Sequence, residues 1–265
     1  MQDLREITKT IRRDIIEMIY SAGSGHPGGS LSLAEIFSVL YFGHMKHDPN
    51  DPVMPDRDRL ILSKGHAAPV LYSALARSGY FDPEYLKTLR KTESFLEGHP
   101  AVKTPGVEVG TGSLGQGLSV GCGVALSFKK RKTPQKVYVI LGDGELQEGQ
   151  NWEAFMFAGH NRLNNLITVI DLNDLQIDGK VTEVNSIEPV ADKIRAFKWN
   201  FELIDGHDIA QIKAAFEKAA ASDRPFAVIA KTVKGKGVSF MEDRAEWHGK
   251  PLSKGDYEKA MAELI

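Results

Sequence analysis

Two stretches constrain this chain more than any others: Val137-Tyr138-Val139-Ile140-Leu141-Gly142-Asp143-Gly144-Glu145 and Leu166-Ile167-Thr168-Val169-Ile170-Asp171-Leu172-Asn173. Each opens with a near-continuous apolar run, the pattern of a strand buried on both faces. A helix-sized segment separates them, so the order strand, helix, strand predicts parallel neighbours. The first strand delivers Asp143 into a glycine-flanked turn, and the second delivers Asn173 beside it. Two oxygen ligands then stand at the carboxyl edge of one sheet, where open α/β sheets bind their ligands. A carboxylate plus an amide oxygen suits a hard cation that also holds a phosphate. Gly142-Asp143-Gly144 alone would be ordinary turn chemistry; its position between strand and helix makes it a candidate site.

Leu60-Ile61-Leu62, Phe201-Glu202-Leu203-Ile204 and Phe226-Ala227-Val228-Ile229-Ala230 extend the pattern. The predicted fold class is α/β, a mostly parallel sheet covered by helices on both faces. Leu4, Ile7, Ile11, Ile15 and Ile19 recur at helical spacing and open the chain with an amphipathic helix. It should end at the loop Ser24-Gly25-His26-Pro27-Gly28-Gly29. Ser32 with Glu35 reads as a capping box for a second helix through Ile36, Phe37, Val39 and Leu40. Asp48 to Asp58 reads as an exposed loop, and Val107-Glu108-Val109 as a weak strand. Further helices are expected around Pro69 to Ser78 and after Asp82-Pro83, and Tyr257 to Leu264 reads as a natural closing helix. Without an internal repeat or linker, residues 1–265 are expected to form a single domain.

A formal net charge of −2 offers no global field for nucleic acid or an anionic membrane. The acidic amino terminus does not resemble a signal peptide, and no apolar run reaches membrane-spanning length, so a cytoplasmic protein is expected. The one cysteine excludes an internal disulfide. Cys122, between glycines, reads as a buried small hydrophobe.

Three histidines precede the Gly-Asp-Gly turn in special settings: His26 in a Gly/Pro loop, His66 after a strand end and His99 in Glu97-Gly98-His99-Pro100. His248 lies in Trp247-His248-Gly249-Lys250. Rigid elements present functional groups on such loops, and imidazoles move protons near neutral pH. His44 and His47 lack a carboxylate or third ligand at metal spacing and are expected to be exposed. Gly110-Thr111-Gly112-Ser113-Leu114-Gly115-Gln116-Gly117 formally matches a dinucleotide fingerprint, but the region about twenty positions on holds Pro134-Gln135-Lys136 rather than the acid. A glycine loop approaching another cofactor fits better, with Gly117, Gly121 and Gly123 permitting close helix packing. Lys231-Thr232-Val233-Lys234-Gly235-Lys236-Gly237 leaves a strand as a basic glycine loop able to hold phosphate oxygens.

Together these residues resemble the thiamine diphosphate-binding amino-terminal part of transketolases. The resemblance runs from about Ile7 to Leu252. It rests on His26-Pro27-Gly28-Gly29, Ser63-Lys64-Gly65-His66, Gly98-His99-Pro100, Gly112 to Gly117, Gly142 to Gly149, Asp171-Leu172-Asn173 with Gln176-Ile177-Asp178-Gly179, and Trp247 to Lys250. It implies that Asp143, Asn173 and the Leu175 carbonyl bind Mg²⁺, or Ca²⁺ or Mn²⁺ in its place. It implies that Gly144 lets the diphosphate approach, that His66, Lys234 and His248 contact the diphosphate end, and that Gly112, Ser113 and Leu114 bear on the rings. His26, His66, His99 and His248 would line the donor-sugar channel, and Glu148 would lie at a subunit contact. The implied reaction moves a two-carbon ketol unit from a ketose phosphate to an aldose phosphate.

Single-chain members continue into a pyrimidine-binding domain and a carboxyl-terminal domain, and the glutamate that activates the aminopyrimidine belongs to the former. The resemblance therefore implies the amino-terminal subunit of a split transketolase, whose partner carries those domains in a heterotetramer of two chains of each kind. A piece trimmed from a longer protein is the alternative origin. The alternative functions are a non-catalytic thiamine diphosphate-binding or assembly subunit and another thiamine diphosphate reaction, of the deoxyxylulose phosphate synthase or 2-oxo acid dehydrogenase type.

Overall fold

The computed structural model describes residues 3–177 and 179–265; Met1, Gln2 and Asp178 of the Gln176-to-Gly179 motif lie outside the described residues. In chain order the strands are β1 (Arg59–Leu62), β2 (Val137–Gly142), β3 (Leu166–Leu172), β4 (Leu175–Gln176), β5 (Gly179–Lys180), β6 (Asn200–Asp205) and β7 (Phe226–Lys231). Five form one sheet in the order β1-β2-β3-β7-β6 with every pairing parallel, and β4 and β5 form a small antiparallel ribbon. Because the five strands run the same way, all deliver their following loops to one edge.

Strand alternation divides the apolar runs between two cores. Leu60, Leu62, Tyr138, Ile140, Ile167, Val169 and Val228 pack toward helices Leu4–Ala22, Ala34–Val39, Ala68–Ser78 and Ile209–Ala220. Ile61, Val139, Leu141, Leu166, Ile170 and Ile229 pack toward helices Gln116–Arg131, Gly149–His160 and Val190–Ala196. The sheet is therefore covered on both faces, as the unbroken apolar runs predict, and each fully buried Val or Ile stabilises by about 1.5–3 kcal/mol. Among the described residues no helix is long and apolar enough to cross a membrane.

Helix Leu4–Ala22 starts at Asp3, whose side chain accepts from the Arg5 amide, and stops at Gly23 with φ 63°. Helix Gln116–Arg131 lies close on the sheet because it is glycine-faced. A Cβ on Gly117 would stand 2.5 Å from Ser63 Cβ, and one on Gly121 2.5 Å from Val139 Cγ2. Gly123, expected to share that role, faces open space. Cys122 is buried, with Sγ 3.6 Å from the Ala154 carbonyl.

Several local expectations are corrected. Ser32 and Glu35 form no capping box: helix Ala34–Val39 follows Leu33 without a side-chain cap. Ser32 Oγ instead donates to Asp171 at 2.7 Å, and Glu35 accepts from Arg12. Buried charged groups demand partners more strongly than one helix end does. Val107-Glu108-Val109 is not a strand; Glu108 is drawn to Arg57 and Arg59. After Asp82-Pro83 the chain makes tight 3₁₀ turns over Pro83–Thr88 rather than an α-helix. His44 and His47 are half-buried, not exposed. The ring of His44 stacks on Phe216 at 5.1 Å between centroids, and His47 Nε2 lies 2.7 Å from the Tyr41 carbonyl.

Candidate active site

Four strand ends build the site. β1 runs into Ser63-Lys64-Gly65-His66, β2 into Asp143, β3 into Asn173 and β7 into Thr232-Val233-Lys234. Register sets their levels: Gly142 stands opposite Asp171, so Asp143 and Asn173 emerge at neighbouring tips. Beneath the tips lies a charge pair that sequence reading missed. Asp171 is fully buried, pairs with the buried Lys64 ammonium, and accepts from Ser32 Oγ and Thr232 Oγ1. Against the cost of burial, Lys64 and these hydroxyls hold its carboxyl below the usual range. Asp171 thus ties β1, β3 and the loop after β7 to one point.

Asp143 is in the opposite state. Its oxygens accept from the Gly144 amide at 2.7 Å and the Asp174 amide, with no side-chain cation paired to it among the described residues. Burial first, and the Asp171 carboxylate second, push its pKa up to about 6. Asn173 Oδ1 accepts from the Leu175 amide at 3.1 Å. The Leu175 carbonyl accepts from Lys234 Nζ at 2.8 Å, so an ammonium already stands on this predicted cation ligand. Lys234 is itself buried, and burial followed by the nearby Lys64 lowers its pKa to about 8. A cavity of about 350 Å³ opens here, lined by Asp143, Asn173, Asp174, Thr182, Lys231 and Thr232. Gly144, next to Asp143, packs closely on β4, since a Cβ there would stand 3.2 Å from Gln176 Cβ. A buried carboxylate lacking a cation partner, beside hard oxygens and a lysine, fits Mg²⁺ with a phosphate group. Among the described residues no three His, Cys, Asp or Glu side chains gather as a metal cluster. A site of one carboxylate, one amide and one carbonyl does not require one.

The four predicted histidines meet. His26 lies 5.4 Å between ring centroids from His66, 5.4 Å from His248 and 6.3 Å from His99, and His66 lies 5.1 Å from His248. His248 Nδ1 is 2.9 Å from Lys234 Nζ, which joins the cluster to the cation end. Burial is the main cause that lowers all four pKa values, to about 4 for His26 and about 3 for His248. Neighbouring cations add to it: Arg90 at His26 and His99, Lys64 at His66, and Lys234 at His248. These imidazoles are neutral at pH 7, each able to donate through one nitrogen and accept through the other. His26 Nδ1 is buried with no partner among the described residues.

The glycine loop closes the third side. Gly112, with φ 140°, passes so near His99 that a Cβ would stand 3.1 Å from its ring, and Gly65 packs on the Gly112 amide. Ser113 is exposed and Leu114 half-buried on that loop. Glu145 holds the loop in place, another role sequence reading missed. Buried, it accepts from the Gly115 amide at 2.9 Å, the Gly142 amide at 3.0 Å and Ser63 Oγ. The signal was local, an acid two residues after Asp143 in a strand-to-helix turn, but its partners lie on other elements. Glu148 stands apart from the histidines: it is exposed at the start of helix Gly149–His160, its Cβ under Gly115.

The chain matches the family described as transketolase, thiamine diphosphate binding domain, over residues 4–264. It is 46% identical over 264 residues to the 6-deoxy-6-sulfo-D-fructose transketolase subunit SqwG of Clostridium sp. (strain MSTE9), covering 99% of this chain and 96% of that subunit. It is 41% identical to human transketolase over the whole chain but spans only 42% of that protein. In structure it matches transketolase from Campylobacter jejuni with a TM-score of 0.95 at 39% identity, covering all of this chain and 43% of the other. Transketolase from Pichia stipitis in complex with sedoheptulose-7-phosphate gives 0.93 at 35% identity, covering 98% and 40%.

Proposed function

The chain belongs to the transketolase thiamine diphosphate-binding family, and on that premise we propose that it is the diphosphate-holding half of a two-chain ketol transferase. The observation that carries this reading is the continuity of the site: a cation-seeking carboxylate, a buried lysine and four neutral imidazoles form one surface at the sheet edge. Asp143, Asn173 and the Leu175 carbonyl would hold Mg²⁺, and Lys234, His66 and His248 would meet the diphosphate. Gly112, Ser113 and Leu114 would border the cofactor's rings. Thiamine diphosphate, when bound, supplies the nucleophilic carbon that accepts the ketol unit.

The chain's own residues then bind and move protons. His26, His66, His99 and His248 donate to and accept from the sugar hydroxyls, and because they stay neutral each can do either. The unpartnered His26 Nδ1 is a ready hydrogen-bonding position for one of those hydroxyls. The ring-activating group and the rest of the donor channel come from a second chain, with Glu148 at the contact. The donor is a ketose with a terminal anion. SqwG's name brings a sulfonated ketose alongside ketose phosphates as a donor to test.

The test is a ketol-transfer assay with thiamine diphosphate and Mg²⁺, using the chain alone and then with a chain bearing the pyrimidine-binding and carboxyl-terminal domains. Activity should appear only on mixing, and robust turnover by the isolated chain would refute the two-chain reading.

A further inference from the structure

The strongest feature outside the site is a triad of buried Arg12 and Glu35 with half-buried His207, at the wall of a cavity of about 900 Å³ that His26, His66, His99 and His248 do not line. Arg12 comes from the first helix, Glu35 from helix Ala34–Val39, and His207 from the turn after β6. Arg12 Nη2 donates to both Glu35 oxygens, at 2.7 and 2.8 Å. His207 Nδ1 lies 3.1 Å from Glu35 Oε2, and Nε2 accepts the Val233 amide at 2.8 Å. Since Nε2 accepts, the ring proton sits on Nδ1 and is donated to Glu35. Arg12 Nε meanwhile donates to the Lys236 carbonyl at 2.9 Å. The triad therefore grips the basic loop at two points, Val233 and Lys236, that bracket Lys234.

We propose that Arg12, Glu35 and His207 form a clamp that positions Lys234 for the diphosphate; this rests on the diphosphate-holding reading above. The loop needs such a clamp. It turns at Gly235 with φ 80° and Gly237 with φ 94°, and its own bonds, from the Lys236 amide to the Val233 carbonyl at 3.2 Å and from the Asp243 amide to the Lys234 carbonyl at 3.0 Å, shape the turn but do not fix where it stands against the helices beneath it. Two backbone grips and the bond from the Gly235 amide to the Gly28 carbonyl, 3.0 Å, supply the missing constraint. Gly237 is where the clamp passes closest, since a Cβ there would stand 2.8 Å from Arg12 Cδ. Stability alone is a poor reason for the triad, because a buried ion pair is often no better than an apolar replacement of the same volume. What it does provide is fixed geometry for a lysine whose Nζ must reach both the Leu175 carbonyl and His248. Among the described residues, the hydrogen bonds of His207, Glu35 and Arg12 reach the loop backbone and none of the cofactor residues' side chains, so they are positioning residues.

The test uses the full chain and inorganic diphosphate with Mg²⁺ as the probe, read by calorimetry, with amide hydrogen exchange at Val233 and thermal unfolding alongside. His207→Phe removes the acceptor of the half-buried Val233 amide, the loop is released from its grip, and binding should weaken about tenfold to a hundredfold. Val233 exchange should accelerate. His207→Gln returns an acceptor to the Val233 amide and should restore most of the affinity, which a merely structural role would not require. Arg12→Lys keeps the charge but loses the Nε grip on Lys236, and serves if the Phe variant does not fold. Wild-type binding with unchanged affinity in folded variants overturns the clamp and leaves the cofactor reading standing. Failure of the wild-type chain to bind magnesium diphosphate overturns the reading beneath it as well.

Discussion

Asp143 offers the sharpest measurement, because its charge is held at a cost that can be worked out. The folded-state pKa is about 6, against 3.8 for the ordinary side chain. Between those values the native chain binds more protons than the unfolded one, so stability falls as pH rises through this window, and the penalty is complete above pH 6. From pH 5 to pH 7.5 the loss attributable to this group is about 1.4 kcal/mol, a factor of ten in the folding equilibrium. Asp143→Asn removes the charge. It also faces an amide NH₂ toward one of the two backbone N–H groups the carboxylate accepts, which sets a constant offset of about 1–3 kcal/mol. The offset does not depend on pH, so the difference between the two proteins isolates the charge. Urea unfolding of both in metal-free buffer with a chelator, at half-unit steps from pH 5 to 7.5, should show the wild type losing about 1.4 kcal/mol relative to the variant. Mg²⁺ should flatten the wild-type slope and leave the variant's unchanged. Parallel pH profiles in metal-free buffer would refute the claim that Asp143 is a carboxylate waiting for a cation.

Two further measurements test the surroundings. The ring protons of His26 and His248 should show no titration between pH 8 and 5.5 by NMR, since their pKa values lie near 4 and 3. For these lowered groups the stability gained from neutral rings is lost as pH falls from 6.5 toward those values; a midpoint near 6.5 for either would contradict the buried cluster. Gly117→Ala puts a Cβ 2.5 Å from Ser63 Cβ and 2.9 Å from its Cα and should destabilise by about 1–3 kcal/mol. Gly123→Ala, on the same helix with nothing within 4 Å, should stabilise by about 0.5–1 kcal/mol. Equal effects in thermal unfolding would show that the helix does not pack on β1 as described.

The parts of this fold legible in the sequence are those whose physics is local. A strand buried on both faces is written as an apolar run, so β2, β3 and β7 were readable, and their shared direction followed from the helices between them. Of the histidines read as loop residues, His99 lies in irregular chain, but Pro27-Gly28-Gly29 after His26 opens the short helix Pro27–Leu31, and His66 and His248 lie in 3₁₀ turns over Gly65–Ala67 and Ala245–His248, because glycine and proline mark a chain reversal without excluding a tight helical turn. That the four would converge was implied only by resemblance, since His26 and His248 lie on elements joined by no pattern in the chain. Charge burial was not legible at all. Lys64 and Asp171 are separated by 107 residues, and Arg12 and Glu35 by 23, and nothing in their neighbourhoods distinguishes a solvated charge from a paired one. The failed capping box shows why: Ser32 and Glu35 carry a local signature, yet each is bound more strongly by a partner that only the tertiary fold supplies.

These buried charges also explain how the sheet edge can be ready for a highly charged ligand before meeting one. Lys64 and Lys234 carry two positive charges, and Asp143 and Asp171 two negative, all four side chains buried at neighbouring strand ends. The group is balanced as a whole but not pair by pair. Lys64 and Asp171 satisfy each other, while Asp143 is pushed toward its neutral form and Lys234 toward its own. Under the proposed function Mg²⁺ would take Asp143 and the diphosphate would take Lys234, so the two strained groups each gain the opposite charge they lack. Mg²⁺ with a diphosphate is itself close to neutral, and binding would add little net charge to a buried site. Most of the desolvation is thus already built into the fold, leaving binding energy free to fix orientation. The inner pair follows from the same reasoning: without Lys64 on Asp171, that carboxylate would add a further unpaired charge beside Asp143 and favour a stray proton over a metal ion.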